Sequence, residues 1–283
     1  MNDFKKYLSI EDLKSIELEL LNDLDSFCKN NGIRYYLAYG TLIGAVRHKG
    51  FIPWDDDIDV VMPRNDYDKF IMLYNQAKKP KTKVVHHSID NNYYLPFAKL
   101  VDTRTVLKED IDVDYEMGVY LDIFPLDNLS DDYDEAKRRM KKGYNYDLKL
   151  GIKTLKLRKG RAIIKNGILL AGKLLLWKKT IQQLLDELED CCRETKDKSF
   201  TNYIGVIAGL TAADEPLVFE KEWFESVIPV EFEGRKYPAP VGTDSFLREI
   251  YGDYMQLPPE KERMPHHEFE AWYKNRDNSV SKE

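Results

Sequence analysis

The sequence predicts an α+β protein: a mixed β-sheet of about five strands flanked by helices, a helical basic insert and a helical C-terminal part. Three observations predict it. Apolar residues alternate with a two-residue period over 33–39 and 57–62, the mark of strands. Apolar residues recur at helical spacing over 13–27 and 66–77. Residues 148–185 carry ten Lys/Arg and no acid, which sets them apart from the rest of the chain.

Taken in order, Ser9 with Asp12 three residues on predicts a capped helix start. Leu13, Ile16, Leu20, Leu24 and Phe27 form its inner stripe, and Asn30-Asn31-Gly32 stops it. A strand over 33–39 follows and is broken by Gly40-Thr41. A short helix over 42–48 and a loop over 49–53 come next. Residues 57–62 read as a second strand closed by Pro63, and 66–77 as a helix with Tyr67, Phe70, Leu73 and Tyr74 facing inward. Residues 82–87, 95–101, 105–108 and 119–124 are further short strands. From Asp131 the chain reads as helical, acidic first and then basic. Residues 181–274 read as helix-rich, interrupted by Pro-containing stretches at 233–242 and 251–265. The charge pattern divides the chain at 1–130, 131–185 and 186–283.

The chain has 283 residues, 43% apolar and 33% charged, with a net charge of −6. That apolar content excludes a disordered chain, and no net basic charge exists to favour nucleic acid. Cys28, Cys191 and Cys192 are too few for a disulfide framework, so a reducing compartment is expected. The N-terminus is charged where a signal peptide needs an apolar run, and no stretch reaches the ~20 apolar residues of a spanning helix. A cytoplasmic protein is expected.

The strongest chemical signal is Trp54-Asp55-Asp56-Asp57-Ile58-Asp59. In a strand, Asp57 and Asp59 share one face, about 6–7 Å apart. Two carboxylates so placed beside Val60, Val61 and Met62 call for a cation, and a hard divalent ion such as Mg²⁺ (or Mn²⁺) prefers carboxylate oxygen. Asp55 has the same parity at the strand entrance, and Asp56 is expected to face away. Asp122, alone in the apolar run 120–124, is the candidate third carboxylate, because an unpaired charge there is costly. Asp127, just past Pro125, reads as a turn residue. Gly40-Thr41 before a short helix presents N–H groups and a hydroxyl suited to phosphate. A solvated acidic turn is the competing reading, but these acids are interleaved with Ile and Val. An EF-hand loop lacks its spacing and its Gly.

At these residues the chain resembles a known family. Gly40-Thr41, Asp57-Ile58-Asp59 and Asp122 are similar to the three-part signature of the nucleotidyltransferase fold. The stretch from Tyr39 through Arg47 to Gly50-Phe51-Ile52-Pro53-Trp54-Asp55-Asp56-Asp57-Ile58-Asp59 resembles the LicD family, as do Leu121-Asp122-Ile123-Phe124-Pro125 and Tyr251-Gly252-Asp253-Tyr254 through Leu257-Pro258-Pro259. The resemblance covers about 20–130 and 235–267; the segment 131–234 matches nothing recognisable. Members are bacterial phosphorylcholine transferases, and fukutin-related proteins share the core. The resemblance implies a nucleotidyltransferase-like catalytic core over 1–130, with 186–283 completing the cleft. It implies that phosphocholine, or a related phospho-substituent, moves from CDP-choline or a related nucleotide-diphosphate donor to a sugar hydroxyl. The acceptor would be a cell-surface glycan, lipopolysaccharide or lipid-linked teichoic acid precursor, with CMP released.

On that basis Asp57 and Asp59 are the expected metal ligands, and Asp122 a third ligand or the base for the acceptor hydroxyl. Gly40 and Thr41 would approach the phosphates. Arg47, His48 and Lys49 are candidate phosphate contacts, with solvated surface as the alternative. Lys99, alone in the apolar stretch 96–100, either reaches solvent or meets an anion. Trp54 is the candidate aromatic face for a quaternary ammonium. His86-His87 and His266-His267 lack the spaced partners of a zinc site, and the second pair is placed near the cleft. A nucleotidyltransferase releasing pyrophosphate and an inactive glycan- or membrane-binding module are the competing functions. In the basic segment, Ile164, Ile168, Ala171 and Leu175 fall at helical spacing among the lysines. It is either a surface helix for anionic membrane at the inner face or an insert packing its Leu and Ile on the core.

Overall fold

The computed structural model describes residues 7–158, 163–195, 201–209, 217–264 and 269–274. Helix α1 (Ile10–Asn31) starts at the Ser9/Asp12 capping box and ends at Gly32, whose φ of 58° is the left-handed cap that glycine adopts without strain. Strand β1 (Tyr36–Leu37) and helix α2 (Tyr39–Arg47) follow. The predicted strand over 33–39 is thus cut to two residues. Ala38 is already the extended N-cap of α2, and Gly40-Thr41 lie within its first turn. Strand β2 (Asp59–Pro63), helix α3 (Arg64–Gln76) and strands β3 (Thr82–Val85), β4 (Ala98–Asp102) and β5 (Thr105–Glu109) lie where the periodicity places them, within a few residues.

Strand β6 (Tyr120–Ser130) departs from expectation. It runs eleven residues, straight through Pro125. Pro125 falls between Ile123, which faces β4, and Asp127, which faces the later strand β7 (Tyr203–Gly205). In that interval neither neighbour requires its missing N–H. Asp127 is therefore a strand residue, not a turn residue. It is buried and takes two hydrogen bonds from Arg64, at 2.6 and 3.0 Å. The acid hidden in an apolar strand is matched by a cation from α3.

The main sheet runs β1-β2-β6-β4-β3, with β7 on the far half of β6 and β8 (Phe219–Glu220) on β7. Among the described pairs β2–β6 is parallel, and the other ladders of this sheet are antiparallel. Helices α1, α2 and α3 pack on this sheet. Helix α4 (Tyr133–Thr154), α5 (Ile163–Leu175) and α6 (Ile181–Arg193) follow β6. Leu129, Met140, Leu150, Leu184, Leu188 and Val218 form a second, smaller core between α4, α6 and the β7–β8 side.

Beyond α6 the chain is strand-rich, a correction to the helical C-terminal part expected. Strands β9 (Val227–Phe232) and β10 (Arg235–Pro240) form a separate hairpin, followed by helix α7 (Thr243–Tyr251) and strand β11 (Phe269–Tyr273), which pairs with β5. Glu233 and Gly234 both have positive φ, 46° and 73°, which is a two-residue hairpin turn with glycine in its usual second place. Pro229, Pro238 and Pro240 are tolerated because each strand of a two-stranded ribbon is an edge. Phe232, Tyr237, Phe246 and Ala271 join the main core. Among the described residues no helix is long and apolar enough to cross a membrane.

Candidate functional site

The site forms where α2, the loop into β2 and the segment after α7 meet. The loop folds back tightly on α2, and a Cβ on Gly44 would strike the carbonyl oxygen of Gly50. A Cβ on Gly40 would lie 2.5 Å from Asp55 Oδ2, so glycine there leaves room for a carboxylate against the start of α2. Thr41 is buried, and its Oγ1 accepts the Asp59 N–H at 2.8 Å. Its hydroxyl thus aligns the first residue of β2 and is not itself turned to the cavity.

A cavity of about 810 Å³ opens on this junction. Asp55, Asp57 and Asp59 all line it: alternation carries one face of the extended chain past the formal start of β2 at Asp59. Tyr39, Gly40, Arg47 and Trp54 line it from the α2 side, and Tyr251, Asp253, Tyr254 and Glu262 from the C-terminal side. Five acids thus surround one cation, Arg47, among the described lining residues. Burial, then Asp57, Asp122 and Asp55, push the Asp59 carboxyl well above its ordinary value, and Lys99 opposes them.

Asp122 is the register partner of Asp59 across the parallel β2–β6 pair, and the register partner of Lys99 across β6–β4. Register partners share a sheet face, so the three form a row. Lys99 Nζ lies 2.7 Å from Asp122 Oδ1 and 3.2 Å from the Tyr120 ring centroid, with Lys99 only 3% exposed. Of its two sequence readings, solvent or anion, Lys99 meets an anion, and the anion is Asp122. Neither residue lines the cavity itself.

The other candidates separate. Arg47 donates to the Tyr254 carbonyl at 2.6 Å and to His48 Nε2 at 2.9 Å, which ties α2 to the C-terminal wall. His48 stands edge-on to Trp54, and burial and then Arg47 push its imidazole below the ordinary value. His48 and Lys49 lie outside the cavity lining, and Lys49 instead accepts the Glu233 N–H through its carbonyl. The Arg263 guanidinium lies 5.6 Å from the Trp54 ring centroid. Asp56 does face away from the cavity, but into the protein: it is 5% exposed. His86 and His87 are buried, and burial followed by His87 and Arg64 pushes His86 down to about 2. They form no metal-binding cluster among the described residues. His266 and His267, like Lys159 and Arg161, lie outside the described residues.

Two features were not singled out from sequence. Glu17 sits in the inner stripe of α1, 3% exposed, with Oε2 lacking a hydrogen-bond partner among the described residues. Burial, then Asp57, Asp56, Asp122 and Asp55, push it well above the ordinary value. The signal was available: Glu17 lies four residues after Leu13 and three before Leu20, an acid on the apolar face. Tyr39 has a φ of 46°, rare for a residue with a side chain, and its buried hydroxyl has no hydrogen-bond partner among the described residues. Its ring is held by Phe124 at 5.5 Å and Phe246 at 6.0 Å.

The carboxylate row suits a hard cation by its chemistry: oxygen donors of like charge crowd together beside Lys99 and Arg47. Among the described residues no three His, Cys, Asp or Glu side chains close on one point as a ready-made cage. An ion here would be held by one or two carboxylates and completed by phosphate oxygens and water, as Mg²⁺ usually is.

Comparison with known proteins identifies relatives. The sequence profile described as LicD/FKTN/FKRP, nucleotidyltransferase domain, matches residues 32–153. Over 274 residues the chain is 31% identical to the lipopolysaccharide cholinephosphotransferase LicD of Haemophilus influenzae, an alignment spanning 94% of this chain and 99% of that one. The similarity therefore extends into the middle segment, where sequence inspection found no match. A shorter alignment, 30% identical over 122 residues, joins 39% of this chain to 10% of mannosyltransferase regulator 4 of Saccharomyces cerevisiae. Near full-length similarity to one member at 31% identity, with the nucleotidyltransferase profile lying over α2, β2 and β6, shows that the chain belongs to the LicD family.

Proposed function

We propose that the protein transfers phosphocholine, or a related phospho-substituent, from CDP-choline or a similar nucleotide-diphosphate donor to a hydroxyl of a cell-surface glycan. The acceptor is a lipopolysaccharide or teichoic acid precursor, and CMP leaves. The observation that carries this reading is the cavity's charge: five acids and one arginine beside the N-terminus of α2. A diphosphate is repelled by that set unless a cation enters with it. Asp57 and Asp59 would hold Mg²⁺ or Mn²⁺, with Asp55 beside them. Bound there, the ion would offset the charge on the diphosphate oxygens.

The chain's own groups supply the rest. The N–H groups of the first turn of α2, at Tyr39 and Gly40, favour an anion at that end of the cavity. Arg47 adds a guanidinium on the same wall. Lys99 holds Asp122 at 2.7 Å, and Asp122 would take the acceptor hydroxyl proton or serve as third ligand. Trp54 and Tyr251 offer aromatic faces among acids, the chemistry that receives a quaternary ammonium.

The test is product analysis with CDP-choline, a glycan acceptor and Mg²⁺. CMP release with phosphocholine on the acceptor supports transfer; pyrophosphate release from a nucleoside triphosphate assigns nucleotidyl transfer instead. Asp57→Asn and Asp59→Asn should each lower turnover by about a hundredfold or more while the fold persists by circular dichroism. Full activity in EDTA would exclude the metal. Failure to bind CDP-choline and Mg²⁺ together in calorimetry would favour a binding module without activity.

A further inference from the structure

Helix α5 is amphipathic in the wrong sense for a packed helix. At 100° per residue, Leu170, Ile163, Leu174, Gly167, Ala171, Ile164, Leu175 and Ile168 fill a continuous arc of about 160° with no polar residue. This arc faces outward: Ile163 is 90% exposed, Leu175 84% and Ile164 77%. The opposite side holds the helix down. Leu169 is buried, Gly172 lies against Ile152 of α4, and Lys173 pairs with Asp112 at 2.8 Å. Trp177, 72% exposed, extends the apolar surface just past the helix end. Of the 22 exposed large apolar side chains described, ten lie between Leu148 and Trp177.

An ordinary insert would bury this arc, and a globular surface rarely exposes so much contiguous apolar area. What covers it is indicated by charge. From 148 to 185 there is no acid among ten cations. Lys156, Arg158, Lys173 and Lys179 are spent on Asp110, Asp112 and Glu187, and they anchor the insert. Lys165 and Lys178 have no carboxylate partner among the described residues; both are exposed and flank the apolar arc. A protein partner supplying a Leu-rich groove would not require an acid-free segment around it. An anionic bilayer requires both an apolar face to enter the acyl boundary and cations at headgroup level.

We infer that α5 and Trp177 form a membrane-docking surface, which lies in the plane of an anionic lipid interface with the 163–175 arc inserted and Lys165 and Lys178 on the headgroups. The helix has 13 residues, too short to span. The docking is therefore peripheral and reversible. Nothing in it depends on the donor or on the metal, so its failure leaves the transfer reading untouched.

Vesicle flotation of the full chain tests it. Phosphatidylglycerol-containing vesicles should carry the protein up the gradient, and phosphatidylcholine vesicles much less. The triple variant Ile164→Ser/Ile168→Ser/Leu175→Ser should lose binding by at least about tenfold, because it removes buried methylenes. Lys165→Gln/Lys178→Gln should lose about tenfold on anionic vesicles only, and added salt should mimic it. Trp177 emission should shift to the blue on binding, a signal absent from Trp177→Phe. All these positions are exposed, so thermal unfolding should match that of the unchanged protein. No flotation on anionic vesicles overturns the inference. So does a concentration-dependent dimer in light scattering that the serine variant abolishes without any vesicle binding, which would assign the face to a second copy.

Discussion

Asp59 and Asp122 face each other as register partners across the parallel β2–β6 pair, and Lys99 faces Asp122 from the antiparallel side. The sheet thus sets two carboxylates and one ammonium in a row on adjacent strands. The row ties the acids of the cavity edge to the buried ammonium of Lys99.

Lys99→Met should leave Asp122 beside Asp59 without its 2.7 Å ammonium partner, at a cost of about 3–5 kcal/mol. Adding Asp122→Asn to that variant should recover most of the loss, because the charge that Lys99 matched is then gone. Chemical denaturation of the four proteins of this cycle checks the coupling. Additive losses would mean that the 2.7 Å contact contributes nothing.

Glu17 makes a pH prediction. Its folded-state value lies above the ordinary 4.5, so folding favours the protonated acid. Stability from this group is complete below about pH 4.5 and falls as pH rises through the folded value. In buffer free of divalent ions, Glu17→Gln should therefore melt higher than the unchanged protein at neutral pH, by about 2–4 °C for each kcal/mol relieved. The difference should close below pH 4.5. A difference independent of pH between 4 and 8 would show that Glu17 is not charged against the Asp cluster.

Two glycines four residues apart should fail differently. Gly40→Ala drives a methyl against the carboxylate of Asp55, which can swing, so activity should fall with melting temperature nearly unchanged. Gly44→Ala meets the backbone carbonyl of Gly50, which cannot swing. It should cost about 1–3 kcal/mol of stability. Melting curves and turnover on the same preparations separate the two.

Thr41→Val keeps shape and removes the acceptor of the Asp59 N–H. Leaving that amide unpaired should cost about 1–3 kcal/mol, and hydrogen exchange at the start of β2 should rise. Thr41→Ser should retain both. Equal stability of the valine and serine variants would remove the hydroxyl from the account.

The Ser9/Asp12 cap, the Gly32 stop and helix α3 were legible because they rest on contacts within a few residues. So was the Asp57–Asp59 pair, since alternation along one extended segment needs no partner strand. Asp127 was misread because Pro125 argued locally for a turn, while the strand continues through a gap between two neighbours 100 residues apart in sequence. The β9–β10 hairpin was misread as helix-rich chain because Pro229, Pro238 and Pro240 disguise strands that are tolerated only as edges.

By itself the sequence determined the acids, their spacing and the acid-free run of lysines, because these follow from composition and a period of two or 3.6 residues. Only the tertiary structure decided that Lys99 belongs to Asp122, that Glu17 presses on the cluster from α1, and that Tyr251, Asp253 and Glu262 wall the cavity. It also decided that the apolar arc of α5 points outward. Each of these is a contact, or the lack of one, between segments far apart in the chain. Local periodicity says which residues share a face, but only packing says what that face meets.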